Sequence, residues 1–427
     1  RRPETYIVPY KKAPEWIIPG TPLFYASTRP SATGAVPLVV TTHEGRPTKL
    51  EANHDHPDAS GTCAHTQASV LDLYSPSRSR KIELKASLQS LDLTKTALVF
   101  GNDDSPTRNR LAQSLADKGA TLFSYEATSG EPLVPGVSLV VDFAKASRIL
   151  SLDCDFLETD PIGSSKAFSA KRQGGNENYD QEGDVNPAKM NRLYQVETQF
   201  SLTGGMADHR LRVAPSRVEL IAGAMAAAFG IGSFKVEAED KKALFPGAED
   251  PEGEFESWIA ECKNDLETAG TGALVLAGSR QSKVVKQIAA ALNEKLGASA
   301  IRTVQTDLGK YGDLADLTEK LGNGSIENVL LLTPSNPVFD ADGFAEVLAK
   351  AKVSIHFGLR TDATAWACNW HIPAAHYLES WGDARTENGV YSLIQPMILP
   401  LYGGLSELDL LHVLGGGDLP EGEFFPA

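Results

Sequence analysis

The chain has 427 residues, 42% hydrophobic and 22% charged, with a formal net charge of -15, a balance that suits a folded protein of two or three domains. That charge disfavours a nucleic-acid role, which depends on neutralising phosphates. The longest weakly polar stretch, residues 220–232, is too short and too rich in Ala and Gly to cross a bilayer, which takes about 20 apolar residues.

The charge is uneven along the chain. Residues 1–85 hold 11 Lys and Arg against 8 Asp and Glu, a balance of +3, which leaves -18 on the rest. An acidic body of this kind suits a cationic docking partner or is simply solvated. The first residue is Arg1 rather than Met, so processing that has already removed any export signal is expected.

Seven prolines, Pro3, Pro9, Pro14, Pro19, Pro22, Pro30 and Pro37, fall in the first 40 residues and argue against long helices or central strands there. Residues 1–40 therefore read as an extended arm that needs a surface to lie on. Residues 41–67, "THEGRPTKLEANHDHPDASGTCAHTQA", bring together His43, His54, His56, His65 and Cys63. In an extended strand His54 and His56 would share a side, as metal ligands do. A metal site also needs three or four convergent ligands, and the proline and glycines that follow suit turns capped by His and Asp. The four cysteines, Cys63, Cys154, Cys262 and Cys368, include no CxxC pair, so neither an iron-sulfur cluster nor structural zinc is expected from this chain alone.

Beyond residue 90, short apolar runs alternate with amphipathic stretches. "TALVFGNDD" at 96–104, "RILSLDCDF" at 148–156 and "RLYQVET" at 192–198 open the series. "GALVLAGSRQ" at 272–281, "ENVLLLTPSNP" at 327–337 and "AKVSIHFG" at 351–358 continue it. This is the signature of buried parallel strands in βα units, so the fold class is α/β with two doubly wound, Rossmann-like lobes. Residues 171–189 read as a polar loop and 237–256 as an acidic connector. Residues 91–145 and 325–405 are assigned to a first lobe, 146–324 to a second, 41–90 to a separate segment and 406–427 to a tail.

No chemical motif is complete. "VFGNDDSPTRNRL" leads a strand through Gly101 into a helix, but lacks GxGxxG and places Asp103 and Asp104 where a pyrophosphate would lie. "LAGSRQSKVV", with Gly278, Ser279 and Arg280 at a helix start, has the same incompleteness, and an ordinary capped βα turn accounts for both. GxSxG is absent, and Ser233 sits in "FGIGSFK" instead. "WHIPAAHYLESWGDARTENG" at 370–389 offers His371, His376, Glu379, Asp383 and Glu387 either to acid-base chemistry or to packing and turns.

The stretch from 44 to 81 resembles the opening of the molybdopterin oxidoreductases, with Asn53, His56, Pro57, Gly61, Cys63, Gln67, Tyr74, Pro76 and Arg78 in register. Cys63 matches the last cysteine of that family's cluster motif, and residues 1–62 supply none of the other three. "RLYQVETQFSLTGGMADHRLRVAPSRVEL" at 192–220 is similar to the family's strand that helps hold the guanosine of the pterin cofactor. Glu197 and Gln199 stand where Asp and Arg are expected, and Ser216 and Arg217 replace Gly-Thr. "ILSLDCDFLETDP" lacks the Gly and Asn of the matching segment, and only 23 residues follow "LYGG" where the family has a C-terminal barrel.

In collinear order from residue 6 to about 404, the chain resembles the molybdopterin-enzyme-like part of the large periplasmic subunit of alternative complex III, a bacterial quinol:electron-acceptor oxidoreductase. "YIVPYKKAPEWIIPGTPLFYAST", "HEGRPTKLEANHDHP" and "LTGGMADHRLRVAPS" carry that resemblance, together with "LESWGDAR" and "SLIQPMILPLYGG". It implies a non-catalytic scaffold on the periplasmic face of the inner membrane, with Cys63, Glu197 and Gln199 vestigial and no cofactor of its own. Iron-sulfur clusters and haem c would lie on partner chains or on a further part. The implied partners are an iron-sulfur protein, multihaem cytochrome c subunits and integral membrane quinol-binding subunits. The alternatives are an active molybdopterin oxidoreductase and an NAD-dependent or other small-molecule-binding α/β enzyme.

Overall fold

The computed structural model describes residues 17–32, 34–58, 61–80, 88–127, 133–134, 136–160, 162–172, 190–305 and 311–418. Much of the expected arm (1–16), most of the polar loop (173–189) and the end of the tail (419–427) lie outside the described residues. Among the described residues no helix is long and apolar enough to cross a membrane.

Strands β1 (Leu23–Arg29), β2 (Val36–His43) and β3 (Arg46–Ala52) form an antiparallel sheet in that order. Glu44 and Gly45, both at positive φ, make the two-residue turn from β2 to β3, the hand that matches strand twist. Residues 23–40 are thus largely sheet where an extended arm laid on a surface was expected. The prolines permit it: Pro22 and Pro30 flank β1, and Pro37 is only the second residue of central β2. Beyond it Leu38 and Val40 alternate inward, packing with Leu50, Leu73 and Leu378. The helix Ala64–Leu73 lies against β3.

The first lobe opens with β4 (Thr96–Phe100) and β5 (Thr121–Ser124), joined by the helix Pro106–Asp117. Strand β6 (Val137–Val141) then leads into the second lobe, built on β7 (Arg148–Leu152), β8 (Arg192–Glu197), β9 (His209–Arg212) and β10 (Ala273–Ala277). These four are parallel in the order β10-β7-β8-β9. Strand β11 (Ile301–Gln305) returns antiparallel to β6. The first lobe resumes with β12 (Asn328–Leu331), β13 (Val353–Gly358) and β14 (Trp370–Pro373), completing a parallel sheet ordered β14-β13-β12-β4-β5. A hairpin of β15 (Gly382–Arg385) and β16 (Tyr391–Ile394) follows.

β4 and β12 are buried along their whole length, as strands covered by helices on both faces must be. Three boundaries differ from expectation. The helix Leu314–Gly322 places Leu317 and Leu321 in the first lobe's core beside Val99 and Phe123, so the second lobe ends at β11 rather than at 324. The helix Glu407–Leu414 buries Leu410, Leu411 and Leu414 against Leu115, so this part of the tail belongs to the first lobe. Residues 237–256 are not a loose connector. They form the helix Ala238–Leu244 and the start of Pro251–Ala269, and bury Leu244 and Phe255. In both misread segments a few apolar residues at helical spacing outweigh a polar composition.

Candidate functional site

The carboxyl ends of the first lobe's strands face the second lobe across a cleft of about 1520 Å³, the place where open α/β sheets take ligands. The three-stranded sheet and the helix from Ala64 close one side of it. Nine Asp and Glu residues line it against three Arg and Lys, a field that repels phosphate-bearing ligands.

Cys63 stands on this cleft, exposed, at the start of the helix Ala64–Leu73, with its Sγ 3.4 Å from Thr66 Oγ1. Burial pushes the thiol up, but hydrogen bonds from Thr66 and the backbone of Thr66 and His65, with the Arg29 charge, hold it below its ordinary value. The other cysteines are scattered. Cys154 and Cys262 are buried in two different cores of the second lobe, and Cys368 packs beside a core of the first. Burial pushes the Cys368 thiol up to about 12, and it also pushes up the thiols of Cys154 and Cys262.

The histidines do not converge. His43 pairs with Thr48 at 2.8 Å, His54 is exposed, and His56 Nε2 meets Ser392 Oγ at 2.9 Å. Residues 54–58 are turns rather than strand, so His54 and His56 share no face. Among the described residues no group of three or more His, Cys, Asp or Glu is arranged to hold a metal ion.

Glu197, at the end of β8, is buried and fully engaged. It accepts from Ser201 Oγ at 2.5 Å and pairs with Arg210, and Gly204 lies so close that a Cβ there would overlap its carboxylate. Gln199 is exposed. The neighbouring acids are also turned inward. Asp155 Oδ1 accepts from Thr203 N at 3.1 Å and Thr203 Oγ1 at 2.7 Å, and Asp153 accepts from Thr198 N and Gln281. Asp160 holds the amide of Ser279, so the Gly278-Ser279-Arg280 turn is filled by a carboxylate of the same chain. The first lobe repeats the pattern. Arg108 donates to Asp103 at 2.7 Å, and Asn109 and Arg385 donate to Asp104.

The acid-base candidates of 370–389 separate in the same way. Glu379 forms a bidentate pair with Arg78 at 2.9 and 2.7 Å, both side chains buried. His376 is pushed down to about 4 by burial and then by the Arg78 charge. His371 Nδ1 meets His356 Nδ1 at 2.8 Å, away from the cleft lining. Asp383 accepts from Ser105 Oγ at 2.5 Å, from Thr107 and from Tyr391 OH. Burial pushes its carboxyl up, but these bonds outweigh burial and hold it low. Glu387 accepts from Gly163 N at 3.1 Å, and burial pushes its carboxyl up to about 7. Sequence reasoning did not single out Arg29, Asp155, Gly163 or Arg302, whose partners lie far along the chain and leave no local pattern.

These groups do not fit the cofactors that the fold class carries. One thiol on the cleft cannot ligate a four-cysteine cluster. At the ends of β7 and β8, Asp153, Asp155, Asp160 and Glu197 present carboxylates already bonded to their own chain, where a dinucleotide pterin would need donors.

Two doubly wound lobes facing across a cleft define a molybdopterin-oxidoreductase-like fold. Among solved structures the chain is similar to acetylene hydratase from Pelobacter acetylenicus, with a TM-score of 0.60 and 12% identity over 91% of this chain and 69% of that one. No protein family model matches the chain, and no curated protein matches it either.

Proposed function

We propose that the chain is a non-catalytic scaffold of a membrane-associated quinol:electron-acceptor oxidoreductase, a molybdopterin-oxidoreductase-like body that positions electron carriers borne by other subunits. The observation that carries this reading is the occupation of Glu197 by Ser201 and Arg210, at the strand end where the fold class grips its cofactor. Losing a hydrogen-bonding partner costs about 1–3 kcal/mol at each position, so several such replacements together abolish tight binding. An iron-sulfur protein, multihaem cytochrome c subunits and integral quinol-binding subunits are the partners this role requires, on the periplasmic face.

Gentle isolation of the protein from membranes, with metal and pterin analysis and identification of co-purifying chains, tests the proposal. It expects no molybdenum, tungsten or pterin on this chain and the presence of haem and iron-sulfur partners. Stoichiometric pterin with metal on this chain would return the active-enzyme reading. The size of the cleft favours one rival, a small-molecule-binding α/β protein. Titration with NAD distinguishes it, since the scaffold reading expects no saturable binding.

A further inference from the structure

The chain passes between the lobes twice, and the two passages pair with each other. β6 and β11 form an antiparallel ribbon from Ile301↔Val141 to Gln305↔Val137. Among the described residues no cluster of buried apolar side chains draws on both lobes: those of the second lobe run from Val141 to Ile301, and those of the first lie outside that span. A narrow ribbon without a shared core is the geometry of a hinge.

Polar contacts across this hinge gather at the tip of the β15–β16 hairpin. Both carboxyl oxygens of Glu387 accept from Gly163 N of the second lobe, at 3.1 and 3.3 Å. Arg302 Nη2, on β11, donates to the Asn388 carbonyl at 3.1 Å and to its Oδ1 at 2.9 Å. Asn388 in turn donates its amide to Asp58 Oδ2 at 3.4 Å. The tip is closely fitted. A Cβ on Gly34 would come within 2.5 Å of Glu387 N, and one on Gly163, at φ +67°, would press on the Phe143 ring at 3.0 Å.

We propose that Glu387 is a pH-sensitive latch on the interlobe cleft, staying seated against Gly163 while its carboxyl carries a proton and releasing the lobes when burial beside Asp58 disfavours its ionised form. The charged groups that face it are Asp58, from the loop after β3, and Arg302, from β11. The Gly163 loop contributes its N–H, and Gly34 only backbone. Closing the lobes takes the carboxyl out of water next to Asp58, which penalises the anion more than Arg302 and the Gly163 amide favour it. Opening rehydrates it.

The sign follows from linkage. A carboxyl near 7 when closed, against an ordinary 4.5, binds its proton more tightly in the closed state. The latch's contribution to closure is therefore complete below about pH 4.5 and is lost as pH rises through 7. The separation between 4.5 and about 7 shifts the open-to-closed ratio by at most ~300-fold, less where solvent reaches the tip.

Small-angle X-ray scattering of the full chain at pH 5.5 and 8.5, with hydrogen exchange of the segment containing Gly163 corrected for intrinsic rates, tests the latch. The wild type is expected to expand and to exchange faster at pH 8.5. Glu387→Gln, which cannot ionise, should keep the compact profile at both values. Asp58→Asn, which removes the facing negative charge, relieves the ionised carboxyl in the closed state and should therefore reduce the expansion at pH 8.5 while leaving the pH 5.5 profile unchanged. A wild type unchanged between the two pH values, a Glu387→Gln variant that opens with pH as the wild type does, or an Asp58→Asn variant that expands at pH 8.5 as fully as the wild type overturns the proposal.

Discussion

Arg78 and Glu379 stand 301 positions apart in sequence and form an ion pair whose side chains are 1% and 0% exposed. Arg78 also donates to the carbonyls of Leu73 and Ala374, and Glu379 accepts from the amides of His376 and Leu401. The pair thus ties the segment after the first helix to the loop before the β15–β16 hairpin. Removing one partner of such a pair leaves a charge buried without compensation. Glu379→Ala is expected to cost about 3–5 kcal/mol in denaturant unfolding, and the same loss should not follow when Arg78→Met is combined with it. A single-variant loss under about 1 kcal/mol would mean that water reaches the site. Beside it, His376 has an ordinary value of 6.5 when unfolded and about 4 when folded, so the unfolded state takes up the proton first. Stability should fall as pH drops from about 6.5 towards 4, and unfolding midpoints of His376→Gln across this window should show a slope lower by about one proton. That slope is opposite in sign to the one expected of Glu387, so the two effects separate in one pH series.

At the scale of elements, the strands were the most legible part of the sequence. "TALVF", "ALVLA" and "NVLL" are short apolar runs between turn residues, and each became a buried parallel strand. What could not be read was pairing through distant partners. β6 and β11 meet only because the second lobe is inserted between them, and nothing in "VSLVV" or "IRTVQ" specifies the other. The β15–β16 hairpin hid in a stretch whose Trp, Gly and charges suggested turns. Of the candidate site, the acids at strand ends were visible, but not that each is consumed by its own chain. The turn after β8 illustrates this. Ser201 caps the helix Leu202–Gly205 by accepting from Gly204 N at 2.9 Å while donating to Glu197, so strand end and helix start share one network. Gly204→Ala would force a methyl into the Glu197 carboxylate. The expected result is a loss of about 1–3 kcal/mol with the overall fold retained, measured by chemical denaturation and circular dichroism. An unchanged midpoint would show that Glu197 has room to move, which would weaken the case that this strand end is closed to a cofactor.

The whole molecule inherits its behaviour from the way one lobe is inserted into the other. The buried apolar clusters of the second lobe lie entirely between Val141 and Ile301, and those of the first use residues on either side of that span. A lobe that contains its own core meets the physical requirement for folding by itself. Among the described residues its attachment to the first includes the β6–β11 ribbon and the polar contacts of Gly163 and Arg302 with the hairpin tip, none of which fills a core. A polypeptide of residues 136–305 should therefore fold alone and unfold in a single cooperative transition. In the full chain the same transition should appear as one of two, because among the described residues no buried apolar cluster couples the lobes into one unit. Glu387→Gln, which acts only where the lobes meet, should leave the isolated polypeptide's transition where it is and alter only the full chain. If residues 136–305 prove unstructured by circular dichroism, or if the full chain melts in one step with matching calorimetric and van't Hoff enthalpies, the lobes are energetically joined. The ribbon would then be a rigid strut, and a hinge at that position would lose its physical basis.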